Sequence, residues 1–327
     1  MRLALCLCAA LAASPAAAGV EEALAGPILP GLAAFAGAAE DLAEAARADC
    51  RADALAPDYH AAFDAWMAVG DIRLGPSETG ALAIAFWPDD RGFTARTLNS
   101  LIAQQDPVAD DAAAFAEVSI AARGLFALDM LLFDETLSAY GPDDYACRLV
   151  RALTADLAGQ AGALEAAWRE SFAQSLRTAG AAGNATFLSP DEAVRALYTQ
   201  ILSGLEFTAD SRIGRPMGSF ARPRPKRAEA WRSGRSLRNV LASVEASAAL
   251  ARALAGRDLP ETDAALARVR VAAGRIGDPG FQDLADPAAR LKAEILQQEV
   301  RGVKAAIEAE LGAQLGIAPG FNAQDGD

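Results

Sequence analysis

Apolar residues recur every three or four positions through most of the 327-residue chain, and no alternating run is long enough to predict a strand. Ala, Leu, Glu and Arg are abundant, and aromatic residues make up only 6%, a composition that favours helix over sheet. The predicted helices cover residues 20–49, 57–72, 110–133, 142–179, 189–211, 232–255, 260–275 and 287–315. The sequence therefore predicts an all-α fold, with 52% hydrophobic residues to build its core.

Helix-start signals agree with this pattern. Ser189, Pro190 and Glu192 combine an N-cap, a proline at the first helical position and a capping-box glutamate. Asp286 and Pro287 give a similar start to the last helix. That helix has the clearest apolar stripe, formed by Leu291, Ile295, Val303, Ile307, Leu311 and Leu315.

Two segments rich in Gly and Pro, residues 74–97 and 212–231, predict long loops, which are often functional in helical proteins. Both segments start at the same short pattern of arginine, aliphatic residue and glycine, at residues 73–75 and 212–214. A helix-rich stretch follows each segment. This similarity predicts two related helical bundles, an N-terminal half at 19–183 and a C-terminal half at 184–327, although chance similarity is the alternative.

Residues 1–18 have the pattern of a secretory signal. Arg2 precedes an apolar run of about eleven residues, and small residues lead to a predicted cleavage after Ala18. The run is too short to span a bilayer. No second segment approaches eighteen apolar residues, so the sequence predicts an exported, periplasmic product without a membrane span.

Cleavage leaves two cysteines, Cys50 and Cys147. In an exported protein this pair favours one disulfide, with two buried thiols as the alternative. On the chain-entropy model, closing a loop of roughly a hundred residues stabilises the fold by about 4–5 kcal/mol.

The charge distribution is uneven. The net charge of −13 argues against a nucleic-acid partner. Residues 212–238, however, hold nine Lys and Arg residues against Glu229 alone, a local charge of +8. This basic stretch could bind an anionic ligand such as a metal chelate with carboxylates, or dock within the chain on Asp89 and Asp90.

Six stretches spread in order over nearly the whole chain carry a family resemblance: AWMAVGDIRLGP (65–76), FWPDDRG (86–92), RGLFALDMLLFDE (123–135), YACRLVRALTADL (145–157), RPKRAEAWRSGRSLRN (224–239) and LGIAPGFNAQDGD (315–327). They resemble the imelysin family, in its periplasmic branch related to the iron-uptake component EfeO. The resemblance implies one all-helical domain of two related bundles with a site between them. It also implies export and a part in the uptake of iron or another metal.

The family carries a peptidase label and a G-x-H-x-x-E motif, which falls here on Gly124, Phe126 and Asp129. Positions 126 and 129 share a helix face, but Phe126 cannot ligate a metal. Asp129 alone offers a carboxylate donor, which suits calcium or magnesium better than zinc. The alternative is that Phe126 belongs to the core and Asp129 pairs with an arginine.

His60 is the only histidine and has Asp64 one turn further on. The two could supply two metal ligands or form an ordinary surface ion pair. A single histidine excludes the H-E-x-x-H type of zinc peptidase site, and no G-x-S-x-G turn is present. No complete catalytic set is present, so an enzyme is the weaker hypothesis.

Five further residues are candidates for binding. Trp66 and Arg73 lie seven positions apart, two turns along one predicted helix, and the resemblance places both in the family's central region. Ser233, Arg235 and Ser236 could bind an anion at the start of the helix that runs to residue 255. The alternative for these three is a helix cap with arginines that neutralise nearby acids.

The leading hypothesis is a non-enzymatic component of iron or other metal acquisition. It would bind a metal, an anionic metal chelate or an iron-uptake envelope protein between the bundles. Asp129 would be a metal ligand or counter-charge, the arginines would hold an anion, and Trp66 would form a wall. A metallopeptidase of the imelysin type and an envelope partner protein with a decayed metal site are the alternatives.

Overall fold

The computed structural model describes residues 15–317, with side chains from Gly19 onward. Within this range the chain has no β-strand, and its single extended pairing is an isolated bridge between Ser219 and Arg222. The all-α prediction is confirmed. The predicted signal lies largely outside the described residues, as does most of the 315–327 stretch.

The α-helices are α1 (Pro15–Ala23), α2 (Leu29–Ala48), α3 (Ala52–Met67), α4 (Pro76–Ile84), α5 (Phe93–Gln104), α6 (Ala112–Ala116), α7 (Gly124–Phe133), α8 (Tyr145–Ala167), α9 (Ala173–Arg177), α10 (Pro190–Phe207), α11 (Gly214–Met217), α12 (Ser236–Ala255), α13 (Pro260–Ala273) and α14 (Pro287–Ile307). Short 3₁₀ turns occur at Pro107–Asp110, Ile120–Ala122 and Pro225–Arg227. Wider π-helical turns at Leu24–Ile28, Trp168–Phe172 and Thr208–Ile213 join consecutive helices, and another at Glu308–Gly312 follows α14.

Two groups of helices bury the core. In the first, α2 packs against α3 and α8, and α7 packs against both of those helices. In the second, α10, α12, α13 and α14 pack together. The helix through α1 and α2 joins the groups, because α1 packs on α10 and α12. The predicted duplication and its boundary at 183/184 stay predictions.

The first long helix is tightly embedded. A Cβ at Gly19 would stand 2.3 Å from the carbonyl oxygen of Leu254, so a glycine permits this close approach. By length and composition alone, the segment Gly19–Ala48 could cross a membrane, with a mean hydropathy of 1.3 in an 18-residue window. The prediction that the chain has no membrane span stays a prediction. In this fold Phe35 and Leu42 on that helix are fully buried against neighbouring helices.

Several local predictions are confirmed. Cys50 and Cys147 form a disulfide with a Cα–Cα distance of 5.4 Å, which ties the end of α2 to the start of α8. Ser189 Oγ accepts a hydrogen bond from the Glu192 N–H, and Asp286 caps α14 through the Ala288 N–H.

Other local predictions were wrong. The predicted loop 74–97 contains α4 and the start of α5, and the predicted loop 212–231 begins as helix through Met217. The predicted helix 110–133 is broken before α7, where Gly124 has a φ of 69°. A Cβ on Gly124 would lie 2.2 Å from the Ile84 carbonyl oxygen, so α7 starts pressed against the end of α4.

The predicted stripe of the last helix is confirmed for Val303, Ile307 and Leu311, which are buried, but not for its N-terminal part. Leu291 and Ile295 are exposed, at 57% and 37%, whereas Ala293, Leu296 and Val300 are buried. Spacing alone predicts an apolar stripe, but the packing of α14 against α10, α12 and α13 decides which residues it buries.

Candidate functional site

A cavity of about 230 Å³ lies between the two helical groups. Its walls come from α7, from the segment between α4 and α5, from α11 and from the basic stretch before α12. The lining residues are Phe86, Trp87, Pro88, Asp89, Asp90, Gly92, Thr94, Ala95, Phe126, Asp129, Met130, Arg215, Lys226, Arg227, Ala228, Ala230, Trp231 and Arg232. Both altered motif positions therefore face the same cavity as much of the basic stretch.

The buried part of the cavity has an aromatic wall. Phe126 is buried and stacks on Trp87, with ring centroids 6.2 Å apart and an interplanar angle of 21°. Its other side meets the edge of Phe63 at 5.5 Å, and Phe207 meets Trp87 at 5.7 Å. Position 126 thus contributes an apolar surface rather than a ligand atom.

Asp129 is buried at the base of the cavity and is 3% exposed. Its Oδ1 accepts hydrogen bonds from Ser233 Oγ at 2.5 Å and Tyr59 Oη at 3.2 Å. Burial raises the pKa of Asp129 to about 6, although both hydroxyls and Arg232 act to lower it. The alternative that Asp129 forms an ion pair with an arginine is wrong. The neighbouring Arg232 pairs with Asp134 instead, at 2.7 Å.

The exposed rim of the cavity is cationic. Arg215 pairs with Asp90, and Arg227 Nη1 lies 3.6 Å from the same carboxylate. The hydrogen bond from Arg215 lowers the pKa of Asp90 below its usual value. Lys226 is exposed and has no ion-pair partner within residues 19–317. Asp90 thus offsets only part of the positive charge.

Asp89 has a separate structural task. Its carboxylate accepts hydrogen bonds from the Phe93 and Thr94 N–H groups at 2.9 and 2.8 Å, so it caps α5. The alternative that the basic stretch docks on the neighbouring acids therefore holds for Asp90 and not for Asp89.

Two buried polar atoms of the lining residues, Thr94 Oγ1 and Arg215 Nε, have no hydrogen-bond partner within residues 19–317. Thr94 is only 4% exposed. Buried donors are usually paired, because leaving one unpaired costs about 1–3 kcal/mol. Both groups therefore belong to the wall of the cavity and make no hydrogen bond there.

A closed ionic cluster supports one wall of the cavity. Arg212 is buried and binds Asp71 through Nη2 and Nη1 at 2.8 and 3.0 Å, and Glu229 through Nε at 2.9 Å. Burial lowers the pKa of Arg212, but the two carboxylates outweigh it and raise that pKa above its usual value. Glu229 lies between Ala228 and Ala230, so the cluster fixes the backbone of this wall.

The predicted His60 and Asp64 pair is held by Arg235. Arg235 Nη1 lies 3.0 Å from His60 Nδ1, and Nη2 donates to Asp64 at 2.5 Å. Its guanidinium lies 4.7 Å over the Phe63 ring. Desolvation and the nearby arginines lower the pKa of His60. No three His, Cys, Asp or Glu side chains cluster at metal-binding range in the described part of the chain.

The remaining predicted residues do not line the cavity. Helix α3 ends at Met67, so Arg73 lies beyond it, yet its guanidinium stands 5.8 Å over the Trp66 ring. Ser233 Oγ reaches Asp129, and Ser236 Oγ donates to the Glu229 carbonyl at 2.7 Å. These hydroxyls are engaged inside the protein.

The sequence candidates therefore included Asp129 and missed most of the lining. Trp87 and Asp90 come from FWPDDRG, and Arg215, Lys226 and Arg227 come from the basic stretch. Both signals were visible in the sequence, and the alternative that the basic stretch docks on Asp90 is confirmed, but the sequence did not show that Phe126 and Asp129 face the same cavity.

Comparison with known proteins agrees with this architecture. The Imelysin family model, which carries the peptidase M75 label, matches residues 28–307. The chain belongs to the imelysin family. Its cavity therefore lies where the family's motif helix meets the second helical group.

Two solved structures share this imelysin fold. An imelysin-like protein from Psychrobacter arcticum 273-4 has a TM-score of 0.76 and 18% identity, with 95% of this chain and 99% of that chain covered. An iron-regulated protein A precursor from Parabacteroides distasonis ATCC 8503 has a TM-score of 0.69 and 14% identity, with 93% and 97% covered. A comparison with curated proteins gives no match.

The imelysin motif implies a metal, but the residues of this motif helix do not fit one. Phe126 replaces the histidine with a ring that packs on Trp87. Asp129 already accepts two hydroxyl hydrogen bonds on Oδ1. A transition-metal site needs several nitrogen, sulfur or oxygen donors around the ion, and this helix face supplies one carboxylate.

Proposed function

We propose that this imelysin-family chain is an exported, non-enzymatic binding protein of metal acquisition. In this proposal the cavity binds an anionic metal chelate rather than a bare ion. The observation that carries it is the cationic rim formed by Arg215, Lys226 and Arg227 over an aromatic base.

Electrostatics favour an anion at this place despite the net charge of −13. A cleft lined by one sign of charge concentrates its field and attracts oppositely charged ligands. Here only the exposed rim, where Arg215, Lys226 and Arg227 surround Asp90, has a local excess of positive charge. Arginine also binds carboxylates in a planar, two-bond geometry, which adds specificity to attraction. The lining holds four cations, Arg215, Lys226, Arg227 and Arg232, against three acids, Asp89, Asp90 and Asp129, so the positive excess is small. It lies at the exposed Lys226, which has no ion-pair partner among the described residues.

The size of the cavity limits the ligand. Its volume of about 230 Å³ is below the roughly 300–1,000 Å³ typical of ligand clefts. A small hydroxycarboxylate complex is the chemical class that combines this size with several carboxylates. The Parabacteroides relative is named as iron-regulated, which makes iron the first metal to test.

The test is calorimetric titration of the purified mature chain with ferric citrate, citrate alone and ferrous ion. Trp87 and Trp231 line the cavity, so quenching of tryptophan fluorescence gives a second readout. We expect saturable binding of ferric citrate that weakens in Lys226→Met. A matched control is Arg268→Met, which removes an exposed cation paired with Glu299 away from the cavity.

Two outcomes contradict the proposal. One is the absence of saturable binding for every chelate; the other is equal weakening by Lys226→Met and Arg268→Met, which would indicate nonspecific attraction. Chelator-sensitive cleavage of a protein substrate would favour the metallopeptidase alternative instead.

A further inference from the structure

We infer that Asp90 occupies the place of a ligand carboxylate, and that Arg215 and Thr94 determine which ligand replaces it. This inference rests on the proposed function of the cavity. It goes further by assigning the carboxylate-binding groups and an internal competitor. The ligand class that it names is a small molecule with at least one planar carboxylate.

The first argument is that only one of the two parallel donors of the Arg215 guanidinium fork, Nη2 and not Nε, has a partner. Arg215 donates to Asp90 through Nη2, while its buried Nε has no partner. Nε and Nη2 together form the edge that takes a carboxylate with two parallel hydrogen bonds. Asp90 therefore uses one half of the available geometry.

Arg123 shows the filled version of the same fork. Its Nε donates to Asp156 Oδ2 at 2.9 Å, and its Nη2 donates to Oδ1 at 2.6 Å. A carboxylate free to approach Arg215 in this way would satisfy the unpaired Nε. A ligand thus gains a hydrogen bond that Asp90 does not make.

The second argument is that Asp90 can be displaced. Its side chain is 51% exposed, and exposed ion pairs contribute little to stability. Its neighbour Asp89 holds the segment in place by capping α5 through Phe93 and Thr94. Release of Asp90 would therefore leave the anchor of this segment intact.

The third argument is the hydroxyl of Thr94. It is buried in the wall of the same cavity, and its Oγ1 has no partner. The Thr94 N–H is bound by Asp89, so the position of this residue is fixed while its hydroxyl is unused. A second ligand oxygen would give this hydroxyl an acceptor.

The experiment compares Asp90→Asn, Arg215→Lys and Thr94→Val with wild type by calorimetric titration with citrate and with ferric citrate. Asp90→Asn removes the internal competitor and should tighten binding about two- to fivefold, the range given by the strength of exposed ion pairs. Arg215→Lys keeps the charge but loses the planar fork, so affinity should fall about tenfold. Thr94→Val should weaken binding about threefold.

Asp210→Asn is the matched control, because Asp210 is an exposed acid that pairs with Arg301 and does not line the cavity. Equal affinities of Asp90→Asn and wild type, or equal tightening by Asp210→Asn, would overturn the inference while the proposed function stands. Unchanged binding by Arg215→Lys would overturn it as well. No binding by wild type or by Asp90→Asn would overturn the proposed function, and this inference with it.

Discussion

Arg212 and Arg215 lie one helical turn apart and have opposite environments. Arg212 is 4% exposed, and its guanidinium is fully engaged by Asp71, Glu229 and Thr208. Arg215 lies at the cavity rim with one exposed carboxylate partner and an unpaired Nε. The same residue type thus forms a closed cluster at one position and an open binding edge at the next turn.

The difference shows how this fold separates stability from binding. A buried charge is tolerated only when its partners satisfy it, so the Arg212 cluster has little freedom to accept anything else. Charges at a partly exposed rim lose less hydration and can exchange partners. Glu229 connects the regions, because it binds Arg212 and lies in the backbone segment that lines the cavity.

The largest expected effect comes from breaking the closed cluster. Arg212→Met leaves the buried Glu229 and the partly buried Asp71 without their cation, which should reduce the free energy of unfolding by about 3–5 kcal/mol. Urea denaturation measures this change. Arg301→Met removes an exposed partner of Asp210 and should cost less than about 1 kcal/mol. Similar losses in both variants would remove the distinction between the two regions.

A second, smaller effect concerns the acid at the cavity base, which unlike Asp71 and Glu229 has no cation bound to it. Because burial raises the pKa of Asp129 to about 6, its contribution to stability is fully present below about pH 4 and is lost as pH rises through 6. Asp129→Asn removes this titration. The stability of the Asp129→Asn variant relative to wild type should therefore increase by about 2 kcal/mol between pH 4 and pH 7.

Urea denaturation of both proteins across that pH range is the measurement. The difference between the two curves isolates Asp129 from the other carboxyl groups that titrate in the same range. Parallel curves would mean that Asp129 is better solvated than its burial indicates.

The smallest expected change in stability is at the open edge. Arg215→Met should alter the free energy of unfolding by less than about 1 kcal/mol, because its partner Asp90 is exposed. The same substitution should nevertheless remove most chelate binding. Urea denaturation and calorimetric titration of one preparation of Arg215→Met measure its stability and its chelate binding. A loss of stability comparable to that of Arg212→Met would contradict the difference between the two arginines.

The sequence predicted much of the fold because its signals are local. Helical periodicity, the caps at Ser189 and Asp286 and the pairing of Cys50 with Cys147 need only nearby residues or a simple count. The predicted face of the last helix holds for Val303, Ile307 and Leu311 but fails at its N-terminal end. Leu291 and Ile295 continue an apolar stripe in the sequence, but α14 turns them towards solvent to pack Leu296 and Val300.

The cavity shows the same limit. The altered motif located Asp129, and composition located the basic stretch, but Thr94 carried no signal in the sequence. Its importance arises because Asp89 binds its N–H and leaves its buried hydroxyl without a partner. Such an unpaired group is a property of packing and not of residue type.

By itself, the sequence determined that this chain is helical, that position 126 of its candidate motif is a phenylalanine, and that positive charge is concentrated in one segment of an acidic protein. Those properties follow from residue type and spacing along the chain. Only the tertiary structure decided that Arg212 is buried with its guanidinium fully paired, whereas Arg215 lies at the cavity rim with an unpaired Nε. It did so because the position of each carboxylate relative to each guanidinium depends on contacts between segments more than a hundred residues apart.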